Sequence, residues 1–238
     1  MDTKGSGEQT ESPDYYDRPV VFSKYLGDNR HISDKQSFLL SWLTPCESDV
    51  ILECGSSSGK TSMDLSKRTG CHCLGVDFDP SAVEFSNEMR DKHFPELKDR
   101  CHFRQGDLTN MEFDKNTTKV LMADFTEHVS DEVLGKILAN IRSQLPGVKL
   151  YVYTPARTHI FEIMKHKNFI LKNKVGHINV KTEKNLTDFL KKNGWKIAQV
   201  QWRPSHLPVF RNIELILGHL PLVGIFFRRR IVIVATSS

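Results

Sequence analysis

The hydrophobic period changes once along the chain. From Val20 to Leu43 apolar residues recur at helical spacing, first Phe22, Tyr25 and Leu26, then Phe38, Leu39, Trp42 and Leu43, which predicts one or two helices. From Val50 onward short apolar runs alternate with longer amphipathic ones. Val50-Ile51-Leu52 reads as a strand ending at Glu53, followed by a helix from about Lys60 to Arg68. Cys71 to Val76 reads as a second strand, Pro80 to Arg90 as a helix with proline near its start, and Cys101 to Arg104 as a third strand. Lys119 to Met122, a helix from about Asp131 to Leu145, and the β-branched and aromatic run Val148 to Tyr153 complete the alternation; Ile231 to Ala235 reads as a last strand. Strands alternating with helices predict an α/β fold, a doubly wound sheet with helices on both faces. Such sheets bind ligands beyond the carboxyl ends of their strands, so each strand end is a place to look for chemistry.

Composition narrows the class. A chain of 238 residues with 39% hydrophobic and 26% charged residues buries enough surface to fold as one domain and excludes a disordered or fibrous chain. Met1 to Arg18 is polar and reads as a flexible arm, which leaves residues 19–238 as the domain. A formal net charge of +4 is mild and does not favour a dedicated nucleic-acid surface. Five cysteines at irregular spacing make no disulfide framework and point to a reducing compartment, the cytoplasm. The longest uncharged stretch, Leu215 to Phe227, is shorter than the ~18–20 residues a spanning helix needs. Cys71-His72-Cys73 lacks a second ligand pair at finger spacing, so two buried thiols are expected there rather than zinc.

The first strand end reads Glu53-Cys54-Gly55-Ser56-Ser57-Ser58-Gly59-Lys60-Thr61. Small residues there let a ligand approach the backbone at a helix N-terminus. A nucleoside-triphosphate loop fits at Gly59-Lys60-Thr61, with Asp124 imitating a magnesium-binding strand end, but Cys54 stands where the first glycine belongs. A dinucleotide loop would need glycines at 55, 57 and 60, and Ser57 and Lys60 break it. The third reading is a resemblance: Glu53-x-Gly55-x-Ser57-x-Gly59 resembles the acidic, glycine-rich loop of class I S-adenosylmethionine-dependent methyltransferases, with Ser57 in place of the middle glycine.

Two further strand ends carry the same resemblance. Gly75-Val76-Asp77-Phe78-Asp79-Pro80 looks like the family's ribose-binding segment, with Asp77 placed 22 residues after Gly55. Gln105-Gly106-Asp107-Leu108 is similar to its adenine contact, Asp107 accepting from the exocyclic amine and Leu108 packing on the ring. Taken singly, Asp77 also suits a helix cap before Pro80, and Asp107 a turn. The resemblance runs from about Leu39 to Trp195. It implies a Rossmann-like methyltransferase sheet, mostly parallel with an antiparallel last strand. It implies a cofactor set of Glu53, Gly55, Ser57, Gly59, Asp77, Phe78, Asp107, Leu108 and Asp124.

The fourth strand end, Asp124-Phe125-Thr126-Glu127-His128, followed at a distance by Gly176-His177-Ile178, resembles two groups within that family. One methylates polyprenyl-catechols, and the other the terminal ribose 2′-hydroxyl of small RNAs. In both, an acidic residue, Glu, His and a distant His hold a divalent metal against the substrate's hydroxyls. The resemblance therefore offers Asp124, Glu127, His128 and His177 as metal ligands, with Glu127 and His128 catalytic. Two carboxylates and two imidazoles suit Zn, Mn, Fe or Co better than Mg. Without a metal, His128 is the general base.

Residues 155–182 form an insert after the fifth strand. Six lysine or arginine residues between 157 and 181 face one acid, Glu162, and interleave with apolar side chains. This reads as a substrate lid, with residues 19–48 as an N-terminal helical lid. It also allows peripheral contact with an anionic membrane. The expected activity is methyl transfer to a hydroxyl oxygen of a small molecule. Alternatives are transfer to a small-molecule nitrogen or an RNA 2′-hydroxyl, a nucleoside-triphosphatase, or a silent methyltransferase fold acting as a binding subunit.

Overall fold

In the computed structural model, residues 30–166, 177–205 and 208–237 are described, with the side chains of residues 30–33, 165, 166, 208 and 209 left aside. The N-terminal arm, Phe22 to Leu26 and most of the basic part of the insert lie outside these residues. The elements run α1 (Arg30–Leu43), β1 (Val50–Cys54), α2 (Lys60–Thr69), β2 (His72–Asp77), α3 (Pro80–His93), β3 (Cys101–Gln105) and β4 (Lys119–Ala123). They continue with α4 (Asp131–Gln144), β5 (Lys149–Pro155), α5 (Ile160–His166), α6 (Glu183–Lys192), β6 (Trp195–Arg203), α7 (Pro208–Leu217) and β7 (Arg230–Ser237). Every strand expected from the pattern is present, most of them one or two residues longer at the carboxyl end. β6 has no counterpart in that reading, because its alternation of Lys196, Gln199 and Gln201 with half-buried apolar residues is that of a weakly covered strand.

The seven strands form one sheet in the order β3-β2-β1-β4-β5-β7-β6. β1 to β5 pair in parallel, and β7 inserts antiparallel between β5 and β6. This is the doubly wound, Rossmann-like sheet that the alternation predicts, mostly parallel with one antiparallel strand inserted. The order reverses between β1 and β4, which places the crevice at the switch point beside the ends of those two strands.

Alternation along the strands builds two cores. Leu52, Val120, Met122, Leu150 and Val152 face α4 and α6, where Leu134, Leu138, Ile141 and Leu186 are fully buried. Ile51, Leu121, Tyr151 and Tyr153 face the opposite way, against Phe38, Leu39 and Leu43 of α1 and Met63 and Leu65 of α2. A period-2 strand can serve two helix layers only if nearly every position is apolar, which is why these strands read as continuous hydrophobic runs. Helix α1 is thus a structural part of the second core, with Phe38 stacked on Trp42 at 5.6 Å and set against Tyr153 at 5.8 Å.

All five cysteines are free thiols, and Cys71 and Cys73 are buried with their sulfurs 3.7 Å apart. Among the described residues no helix is long and apolar enough to cross a membrane.

Candidate active site

The loop from β1 into α2 is held open by backbone geometry. Gly55, Ser57 and Gly59 all have positive φ, at 69°, 47° and 71°. A β-carbon at Gly59 would lie 2.5 Å from the Phe103 ring, and one at Gly55 would lie 2.4 Å from that of Phe125. Ser57 occupies a conformation that favours glycine, the position where the family pattern has one. Glu53 does not face this loop's outer side. It is buried, and its Oε2 accepts from the Ser62 N–H at 3.1 Å and the Ser62 Oγ–H at 2.6 Å, which ties the end of β1 to the first turn of α2. Burial pushes its carboxyl up to about 7 against the opposing pull of Ser62 and Lys35.

At the tip of β2 the Asp77 Oδ2 accepts from the Ser57 N–H at 2.7 Å, so it closes over the first loop. Its Oδ1 accepts from the Asp79 N–H at 3.1 Å. The cap of α3 is Asp79, which accepts from the Ser81 N–H; Asp77 is therefore spared that task. Burial raises the Asp77 carboxyl from its ordinary value. Phe78 beside it is 57% exposed. A large ring left in solvent next to a carboxylate at the switch point is a platform for a flat apolar ligand.

The third strand end splits. Asp107 is exposed and holds a turn, its Oδ1 accepting from the Thr109 N–H and Oγ–H at 2.9 and 2.7 Å. Leu108 packs into the first core at 6% exposure, so its side chain does not present a face to a ligand.

Of the four residues suggested for a metal, the structure gathers three. One potential ligand atom each from Glu127, His128 and His177 lies within 4.8 Å of the others. The two imidazole rings meet edge to face with centroids 5.1 Å apart. Glu127 is 1% exposed; its Oε2 accepts from the Thr154 Oγ–H at 3.0 Å, while its buried Oε1 has no hydrogen-bond partner. Backbone N–H groups of Ile178 and Asn179 donate to the Glu127 carbonyl at 3.0 Å, which brings the distant His177 to the β4 end. His177 Nδ1 also lies 3.5 Å from Glu162 Oε2. Burial and the neighbouring His177 pull His128 down to about 4, so it is neutral at pH 7.

Asp124 stands apart from this group. It adopts φ 57° and forms ion pairs with Lys35 of α1, at 2.5 Å, and with Arg230 of β7. Those two cations hold its carboxyl well below the usual carboxylate range. Doubly paired in this way, Asp124 lies outside the group formed by Glu127, His128 and His177. Neither Lys35 nor Arg230 was legible as a site residue, since they lie 89 and 106 residues away and only the sheet order joins them. Lys181 also departs from expectation. It is buried against Asp131 and Asn179, and so adds nothing to a basic surface.

A cleft of about 280 Å³ opens beside this segment, lined by α1, Tyr153, the end of β6 and the start of β7. Residues 51–146 match the family model described as a methyltransferase domain. No curated protein sequence matches the chain. Among solved structures, the magnesium protoporphyrin IX methyltransferase from Synechocystis PCC 6803 with bound S-adenosylhomocysteine is 14% identical. It covers 95% of this chain and 98% of its own, with a TM-score of 0.66. The geranyl diphosphate C-methyltransferase from Streptomyces coelicolor A3(2), in complex with Mg²⁺, geranyl diphosphate and S-adenosylhomocysteine, is 15% identical over 87% of this chain and 78% of its own, at 0.63. A [4+2]-cyclase shares the fold at 12% identity and 0.62, over 86% and 80%. Residues 51–146 are thus similar to a methyltransferase domain, and the sheet has the fold of these solved structures.

Proposed function

We propose that the protein is an S-adenosylmethionine-dependent methyltransferase that acts on a hydroxyl group of a small molecule. The observation that carries this reading is the closure of Asp77 over the Gly55–Gly59 loop, with Phe78 exposed beside it at the switch point. The matching domain model and the neighbours that bind S-adenosylhomocysteine support it.

S-adenosylmethionine, when bound, supplies an activated methyl group. The chain's own residues do the rest. Asp77 accepts from the ribose hydroxyls. Phe78 covers the adenine, and exposed Asp107 accepts from its amino group. Gly55, Ser57 and Gly59 keep side chains out of the way of the ligand, and Glu53 acts behind them by fixing the helix that carries the loop. Positioning acceptor and donor in line supplies much of the rate, up to ~7–11 kcal/mol.

Proton handling falls to the β4 end. His128 is neutral at pH 7 and can take the hydroxyl proton. Glu127, His128 and His177 also fit a divalent cation: one carboxylate oxygen without a partner and two imidazoles are a donor set for Zn, Mn, Fe or Co. Such an ion would supply Lewis acidity toward the acceptor oxygen.

The test is calorimetric titration with S-adenosylmethionine, ATP and NAD, followed by mass spectrometry of catechol, alcohol, amine and carbon-acid acceptors. Binding of S-adenosylmethionine alone and a product 14 mass units heavier on a hydroxyl compound are expected. No binding at millimolar concentration would overturn the reading. Methylation at carbon or nitrogen only would keep the transfer and discard the hydroxyl.

A further inference from the structure

We infer that the cleft between α1, the end of β6 and the start of β7 is an anion-recognition subsite, and that it selects acceptors carrying a phosphate or carboxylate group. That the anion belongs to an acceptor rests on the methyltransferase reading; that the cleft takes an anion does not.

The lining is unbalanced in charge. Lys35 on α1, Arg203 at the end of β6, Arg211 on α7, and Arg229 and Arg230 before and in β7 place five cations around about 280 Å³, with Asp34 as the lining's carboxylate. Asp124 neutralises two of them, Lys35 and Arg230. Among the described residues the other three form no ion pair. Arg203 lies over the Phe38 ring at 4.0 Å. Arg229 donates to the Ser205 Oγ at 2.8 Å, and its guanidinium lies 5.7 Å from the Phe161 ring. Glu214, which could have answered Arg229, is already engaged by His159 at 3.2 Å and by the Ser205 N–H. Burial and the charge of Arg230 lower Arg229 from its ordinary value, against the opposing pull of Glu214 and Glu162.

Cations withdrawn from water without carboxylates are costly unless a ligand completes them. Here rings and a hydroxyl hold the guanidinium groups of Arg203 and Arg229. Planar guanidinium forks match carboxylate and phosphate oxygens two at a time, which a lysine patch would not do. The place is also right for an acceptor. Tyr153 lines the cleft and pairs in register with Ala123, the residue before Asp124. A molecule anchored by its charge in the cleft therefore lies against the strand end that carries Glu127 and His128.

One other source of the same chemistry exists, the carboxylate of the cofactor itself, and the experiment separates the two. Full-length protein is titrated calorimetrically with inorganic pyrophosphate at physiological salt, with and without S-adenosylhomocysteine. The comparison is between wild type, Arg211→Gln and the double variant Arg203→Gln/Arg229→Gln. Arg211 is exposed, so its variant keeps the fold and tests the cleft even where the double variant melts early. Pyrophosphate binding by wild type is expected, weakened roughly tenfold or more for each guanidinium lost, with S-adenosylhomocysteine affinity unchanged. Equal pyrophosphate binding by all three proteins, or none by wild type, overturns the inference. So does a double variant that loses S-adenosylhomocysteine affinity while keeping that for adenosine, which would assign the cleft to the cofactor's carboxylate. Pyrophosphate binding that follows the arginines in a protein that ignores S-adenosylhomocysteine supports the anion site and overturns the methyltransferase reading instead.

Discussion

The two halves of the site are built on different principles. At the ends of β1 and β2 the work is done by the backbone: three alternating positive-φ positions, small side chains, and one carboxylate that accepts from an N–H across the loop. At the ends of β4, β5 and β7 it is done by long charged side chains brought together from α1, β4 and β7, with a carboxylate held between two cations and three arginines without an ion pair among the described residues. The first half is shaped for a ligand whose form never varies. The second is a charge pattern that can be retuned by substitution, as expected where a common fold meets different acceptors.

The strongest way to break this comparison is at His128 and His177. Under a metal-free mechanism His128→Ala lowers turnover by ~10²–10⁴, His177→Ala does less, and chelator does nothing. Under the metal reading both variants and chelator abolish activity, added Mn, Zn or Co restores only the wild type, and S-adenosylhomocysteine affinity is kept in all three proteins. Metal analysis of tag-free protein alongside chelator assays decides between them. The next largest effect is on the rigid half. Gly59→Ala is expected to cost about 2–4 kcal/mol, because it combines a left-handed backbone with a methyl group driven into the Phe103 and Ser86 contacts. Denaturant melts check this. A loss under about 1 kcal/mol would mean the loop relaxes freely, against the picture of a preformed cradle.

That rigid half was the legible one, and the reason is physical. A loop that needs positive φ and close approach selects glycine and serine within a few residues, so Gly55, Ser57 and Gly59 announce themselves locally. Strands buried on both faces, β1, β4 and β5, read as apolar runs, whereas the thinly covered β6 has no such signal. The charged half was opaque because its contacts are tertiary. Asp124 looked like a free ligand until the sheet order placed Arg230 beside β5 and α1 brought Lys35 over it. The sequence shows the position of Leu108 in a motif and not its burial in the first core. Glu53 stands at the mouth of the loop, but its partner Ser62 lies nine residues on in α2, a contact that the sequence does not show.

A sharper distinction between contact and support comes from Asp77 and Glu53, both acidic and both at strand ends. Asp77→Ala should weaken S-adenosylmethionine about ten- to a hundredfold, the loss of hydrogen bonds to a charged group. Calorimetry on the folded variant checks it, and unchanged affinity would remove Asp77 from the site. Glu53→Gln should leave that affinity within a few-fold of wild type, since glutamine's oxygen can still accept from both Ser62 donors.

The smallest effect belongs to the same Glu53 and is read in stability against pH. Burial raises its folded carboxyl to about 7, above the ordinary 4.5 of the unfolded chain. Between those values the folded state holds the proton more tightly than the unfolded one. The native state therefore binds more protons there, and this group's contribution to stability falls as pH rises through the window and is level above it. Glutamine carries no charge and escapes that loss. The melting temperature of Glu53→Gln relative to wild type should rise from pH 5 to pH 8, by no more than about 10 °C, reflecting under about 3 kcal/mol. Because only the difference between the two proteins is read, other titrating groups cancel where they do not touch Glu53. A gap that stays constant from pH 5 to pH 8 would show that Ser62 and Lys35 together keep the carboxylate ionised. The β1–α2 junction would then be held by charge, like the opposite half of the site, and not by a shared proton.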